Sequence, residues 1–389
     1  MTLREPEASQ RATFLELFFD LALVFALFQV SRILVQHLHW SDALQALVLL
    51  VALWRIWFIT TWVTDRLDQQ WWALQLLVII TLLGTVVLAA ALPQAFGKYG
   101  LIFAGVNVAI RVGQYFFLAL ALRGHELRRI ALGSLVWSGV SAPPWIAGAL
   151  THGTARGALW ALAAVVDYAS LTLNFRIPRA GRAAIWEPPV AAEHLAERYR
   201  QVFIIALGEL ILVSGLALSD SGFAHDVPAA FVVSMATTAL LWRIYIYRAG
   251  NVLSVAFAVG RVSNRVSRGV GHVHLAMIAG IVVTAAGDGL VIAHPFAGTA
   301  LASAIVVLGG PALFLAARGG FEYTVFARVS WTRPIGVLVL AALTPVTLHG
   351  PPLLAATTAM AVLAGVAIVD AARTRRHPEL LSPRAGEPS

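Results

Sequence analysis

The segment Arg11 to Asp20, RATFLELFFD, places two carboxylates at the start of a run that is otherwise apolar through Val30. Glu16 and Asp20 are four residues apart, so a helix puts both on one face. An ionisable group at membrane depth is costly unless paired or hydrated, so this face is a candidate site for a proton or a cation. A second copy follows. Arg200 to Glu209, RQVFIIALGE, repeats the spacing of Arg11 and Asp20, with Phe14 and Phe203 in matching places. An arginine then lies inside the next apolar run, Arg55 in WRIW (Trp54 to Trp57) and Arg243 in WRIY (Trp242 to Tyr245). At 1.5 Å per residue, Asp20 and Arg55 sit at nearly one depth, about 12 Å above the inner end of their spans, and Glu209 and Arg243 at about 15 and 6 Å. Two intramembrane ion pairs are expected, Asp20 with Arg55 and Glu209 with Arg243. Such pairs serve either as clasps between neighbouring helices or as the polar lining of a cavity.

Another polar set has no counterpart downstream. Asn107, Arg111 and Gln114 share a helical face near the middle of an apolar run, and Asp167, midway along a later one, is the natural partner of Arg111. Asp288 lies in the outer half of a further run and suits a relay or an ion exit. His272 and His274 in HVH point to nearly opposite sides of a helix, and there is no cysteine, so neither a metal site nor a cofactor is expected. These two histidines read as interfacial.

The elements that must carry these groups are membrane spans. With 59% hydrophobic and 12% charged residues among 389, the chain is too apolar for a water-soluble protein of this length. Its charge of +8 comes from arginines placed between apolar runs and not from a basic domain, so no nucleic-acid partner is expected. Twelve runs of about 20 residues are expected to span, at roughly 13–36, 42–63, 71–92, 100–122, 130–149, 157–175, 199–218, 228–247, 273–293, 299–317, 334–349 and 353–371. Alternating the loops puts 22 arginines on one side and only Lys98 and Arg156 on the other, which places both termini in the cytoplasm and the protein in the inner membrane. The fold class is therefore an all-α polytopic membrane helix bundle of two parallel six-helix repeats, 1–175 and 199–372. A cytoplasmic linker at 176–198 joins them, and a polar tail follows at 373–389. Arg261, Arg265 and Arg268, at helical spacing between two spans, are expected to hold anionic lipid headgroups.

FLELFFDLALVFAL (Phe14 to Leu27), WRIWFITTWVTDRLD (Trp54 to Asp68) and ERYRQVFIIALGELIL (Glu197 to Leu212) resemble the low temperature requirement A family of bacterial membrane proteins. The resemblance spans nearly the whole chain. It implies a multi-pass membrane fold and assigns no biochemical activity. The third motif of the family commonly reads LGES, where this chain has Leu210 after Glu209.

Three functional classes follow from the residues. The first is a secondary transporter or channel in which Glu16, Asp20 and Glu209 take up H⁺ or a monovalent cation, with Arg55 and Arg243 releasing them. The second is an intramembrane enzyme in which a buried carboxylic acid protonates a lipid or isoprenoid. The third is a structural membrane protein. No phosphate-cradling glycine loop, HExxH or nucleophile elbow occurs, so any energy coupling would draw on an ion gradient.

Overall fold

The computed structural model describes residues 12–173, 192–258 and 264–376, and among them it is all-helical, with no strand. The helices are α1 (Phe14–His37), α2 (Trp40–Arg66), α3 (Trp72–Ala91), α4 (Gly100–Ala121), α5 (Arg128–Leu150) and α6 (Gly153–Thr172), then α7 (Ala192–Asp220), α8 (Val227–Ala258), α9 (Asn264–Ala293), α10 (Leu301–Phe326), α11 (Thr332–Thr347) and α12 (Pro352–Arg376). In hydrocarbon a backbone has no water to bond, so each apolar run closes its own hydrogen bonds as a helix. Ten of these helices are long and apolar enough to cross a membrane. The other two are α11, whose 16 residues reach only about 24 Å, and α6, which carries Arg156 and Asp167.

Helix ends depart from the expected limits most at the end of α8 (247 expected, Ala258 observed), and the departure that bears on the site is at the start of α7. That helix begins at Ala192, so residues 192–198 are helix and not linker, while 176–191 lie outside the described residues. Likewise α12 runs to Arg376, into the segment expected to be a polar tail, and 377–389 lie outside. Arg261 and the side chains of Arg265 and Arg268 are also outside the described residues.

The chain packs as two compact units, one formed by α1 as far as Ile33 with Trp40–Arg198, the other by Leu34–His39 and the residues from Tyr199 onward. In the first, aromatic rings fill the space between α4, α5 and α6. Phe103, Trp145 and Trp160 meet at centroid distances of 5.3 to 6.1 Å, and Trp160 Nε1 donates to the Trp145 carbonyl at 2.9 Å. Arg156 ties this layer to the preceding turn, donating to the carbonyls of Gly97 (2.6 Å), Ala95 (3.1 Å), Thr151 (3.0 Å), Ala149 (3.2 Å) and Gly148 (3.2 Å). A buried guanidinium thus satisfies carbonyls that a helix end leaves open.

In the second unit α9 and α10 meet along a seam of small residues. A Cβ at Gly280 would sit 2.6 Å from the Phe314 nitrogen, one at Gly287 3.0 Å from Val307 Cα, and one at Gly310 2.5 Å from the Thr284 nitrogen. Close backbone approach is what packs helices where lipid removes the hydrophobic drive. Because the clash is with main chain, no rotamer relieves it. Gly310→Val is expected to destabilise the protein by about 3 kcal/mol or more. Thermal melting in detergent checks this, and an unshifted melting temperature would refute the seam.

Candidate functional site

α1 has two faces of opposite character. Phe14, Leu17, Phe18 and Leu21 point outward, whereas Glu16, Phe19, Asp20 and Leu23 are buried. Thr13 and Glu16 start the helix with a reciprocal capping box: the Thr13 N–H donates to Glu16 Oε2 at 3.0 Å, and the Glu16 N–H donates to Thr13 Oγ1 at 3.5 Å. α7 starts beside it with its own pair at the same spacing, His194 and Arg198. The two helices form rungs one turn apart. His194 Nε2 lies 3.2 Å from Glu16 Oε2, and the Arg198 guanidinium donates to both oxygens of Asp20, at 2.7 and 2.9 Å. None of these four side chains is more than 1% exposed. The C-terminal turn of α2 completes the lower rung. Thr64 Oγ1 donates to Glu16 Oε1 at 2.6 Å, and Asp65 Oδ1 is 2.9 Å from His194 Nδ1.

The expected pairing of Asp20 with Arg55 is therefore corrected: Asp20 pairs with Arg198. Depth explains it. Asp20 is six residues from the start of α1 and Arg198 six from the start of α7, about 9 Å each, while Arg55 is eleven from the end of α2, about 16 Å. At that higher level Arg55 donates to Tyr115 Oη on α4 at 3.1 Å. One residue from Tyr115, Gln114 Nε2 donates to Thr60 (2.8 Å) and Thr81 (3.2 Å), linking α4 to α2 and α3.

The electrostatics of the lower rung are decisive for chemistry. Glu16, Asp20 and Asp65 face Arg198 and Arg66, whose Nη1 lies 3.1 Å from Asp65 Oδ2. Among the described residues, three carboxylates against two guanidinium groups leave one negative charge over. Both ring nitrogens of His194 point at carboxylate oxygens. A neutral imidazole has one N–H and one lone pair, and an ionised carboxylate only accepts, so this bridge closes only when the trio holds one further proton. The proton balances the surplus charge. Arg198 Nε is also 3.6 Å from Glu16 Oε1, so the same guanidinium stands within reach of both rungs.

The structure also brings Arg111 and Asp167 together. Arg111 Nη1 donates to Asp167 Oδ2 at 2.6 Å, Nη2 bonds Oδ1, and Trp145 Nε1 and Ser141 Oγ complete the group at 3.1 and 3.2 Å. Asn107, one turn away and fully buried, makes no hydrogen bond among the described residues. In the second unit Glu209 is fully buried on α7, while Arg243 on α8 is only partly so. Asp288 on α9 accepts from Ser234 Oγ at 2.6 Å. His274 is buried and not interfacial as expected. It lies between Val270 O (2.8 Å) and Tyr245 Oη (3.2 Å), with Tyr199 and Phe321 against its ring.

Sequence reasoning missed His194, Arg198, Thr64 and Asp65 as site residues. For the first two a signal existed: AEHLAERYR carries His194 and Arg198 at i and i+4, the spacing of Glu16 and Asp20. TFLE, Thr13 to Glu16, likewise carries the capping-box pattern that starts α1.

Apolar helices of membrane length, with ionised groups turned inward, define a multi-pass membrane protein. The chain belongs to the bacterial low temperature requirement A protein (LtrA) family, whose model matches residues 11–368. It is similar to an uncharacterized protein of Rhizobium meliloti (strain 1021), at 33% identity over 344 residues that cover 87% of this chain and 84% of that protein. No solved structure matches it.

Proposed function

We propose that this LtrA-family protein moves H⁺, or a monovalent cation in its place, across the bacterial inner membrane through the cluster of Glu16, Asp20, Asp65, His194 and Arg198. One observation carries the reading: His194 bridges two carboxylates through both ring nitrogens in a site shut off from solvent, an arrangement that holds one exchangeable proton. When that proton leaves His194, Glu16 loses the imidazolium as its counter-charge; among the described residues Arg198, 3.6 Å away, is placed to answer it, and the guanidinium moves from Asp20 toward Glu16. The upper rung then opens. Re-pairing of one arginine between two acids thus couples loss of the proton to a change in what lies above it. Arg55, Tyr115, Gln114, Thr60, Arg111, Asp167 and Asn107 supply polar groups at higher levels in the same unit. Glu209 and Arg243 are the proposed counterparts in a second, parallel repeat. The arginine bias of the loops supports cytoplasmic termini, and Arg261, Arg265 and Arg268 suit anionic headgroups.

The test is proton flux into proteoliposomes that hold a pH-sensitive dye, driven by an imposed membrane potential. Wild-type protein is expected to carry flux, and His194→Gln and Glu16→Gln to fall to the rate of empty liposomes while melting as cooperatively as the wild type. Flux unchanged in both variants, or absent from the wild type, removes the reading.

A further inference from the structure

Asp288 is a buried carboxylate with a different set of neighbours. It lies on α9 at 6% exposure, and among the described residues no arginine, lysine or histidine stands within ion-pair distance of it. Its partners are hydroxyls. Ser234 Oγ on α8 is 2.6 Å from Asp288 Oδ2, and Ser214 Oγ on α7 is 2.7 Å from Ser234 Oγ. Three helices therefore each contribute one oxygen-bearing side chain to one buried hydrogen-bonded chain.

The local sequence builds this arrangement. Asp288 is flanked by glycine on both sides, in Gly287-Asp288-Gly289. A Cβ on Gly289 would meet Val213 Cγ1 at 3.2 Å, so the missing side chain lets α7 close onto α9 and deliver Ser214 from the adjacent position. A Cβ on Gly287 would meet Val307 Cα at 3.0 Å, so the other glycine admits α10 behind the aspartate. Gly287 belongs to the seam of α9 and α10 and Gly289 admits α7 on the same turn, so helices close on both sides of an ionisable residue.

The geometry points to a binding site for a small monovalent cation, Na⁺ or Li⁺ in size, held by Asp288, Ser234 and Ser214. Donors that are all oxygen suit a hard cation. One carboxylate balances one positive charge, whereas calcium and magnesium sites draw on more carboxylates or on substrate phosphates, and among the described residues no group of three or more acids and histidines is placed to hold a metal. The ion takes the carboxylate, and the two hydroxyls turn their lone pairs toward it. This extends the proposed function by giving the second unit an ion of its own, at residues separate from the Glu16–His194 cluster.

The experiment is thermal melting of the full-length protein in detergent, at fixed alkaline pH and constant ionic strength. NaCl, LiCl, KCl and choline chloride are exchanged for one another. A saturable rise in melting temperature is expected with Na⁺ and Li⁺, less with K⁺ and none with choline, because an ion that binds only the folded state stabilises it in proportion to its occupancy. Asp288→Asn is expected to abolish the rise. Should that variant fail to fold, Ser214→Ala and Ser234→Ala serve, each raising the half-saturating Na⁺ concentration about tenfold, the loss of one ligand hydroxyl. Melting that is the same in sodium and choline, or a sodium-specific rise that persists unchanged in Asp288→Asn or in both serine variants, overturns the proposal. The readout is binding and not flux, so failure of proton transport at His194 leaves it untouched.

Discussion

Arg198→Met is expected to destabilise the protein by about 3 to 5 kcal/mol, because it leaves Asp20 charged and buried with no guanidinium to answer it. The loss of two charge-assisted bonds, at 2.7 and 2.9 Å, accounts for part of this and the stranded carboxylate for the rest. Asp20→Leu should cost less, because Arg198 keeps Glu16 Oε1 at 3.6 Å. The two changes together should recover part of the stability, since a buried pair replaced whole by apolar residues is often neutral or better, while Glu16 still loses the nearby guanidinium. Arg198→Lys is not a rescue, because an ammonium cannot meet both carboxylate oxygens in one plane. Melting of the two single variants and the double variant forms the cycle, and strictly additive losses would show that the two side chains do not act as a pair.

Asp167→Asn should be as severe, again about 3 to 5 kcal/mol, and for the same reason with a different surround. Here Arg111 is gripped by Asp167 and Ser141, and Trp145 donates to the same carboxylate, so an amide at 167 disturbs Arg111 on α4 and Trp145 on α5 at once. The informative variant is Arg111→Leu with Asp167→Leu. It is expected to melt close to wild type and to lose proton flux, which would place the pair on the path. Flux retained at full rate would make it a clasp between α4 and α6.

The extent to which this was readable in advance follows from the solvent. Lipid obliges apolar runs to become helices, so all twelve helices lie close to their expected positions in the described residues. It also makes an ionised residue in such a run conspicuous, which is why Glu16, Asp20, Arg111, Asp167 and Asp288 drew attention as site candidates. The residues that were missed lie where that contrast fails. His194 and Arg198 sit in AEHLAERYR, a polar stretch that reads as loop until the helix is seen to start at Ala192. Placing that start seven residues later removed the true partner of Asp20 and left Arg55 as the nearest choice. Ser214 and Ser234 carry no signal alone, because single serines are common in membrane helices and only the approach allowed by Gly289 brings them to Asp288.

The rungs between α1 and α7 join residues 178 positions apart in the chain. At ordinary rates of synthesis, that distance takes about 10 to 35 s for a ribosome to cover. During that interval the nascent first helix holds two acids whose counter-charges have not yet been made. Either it waits at the headgroup boundary, or the insertion machinery shelters it until the seventh helix emerges. The amino-terminal unit is therefore finished by its own last-made residues, and a ribosome that stops short of Arg198 leaves behind a membrane fragment with its charges unmatched.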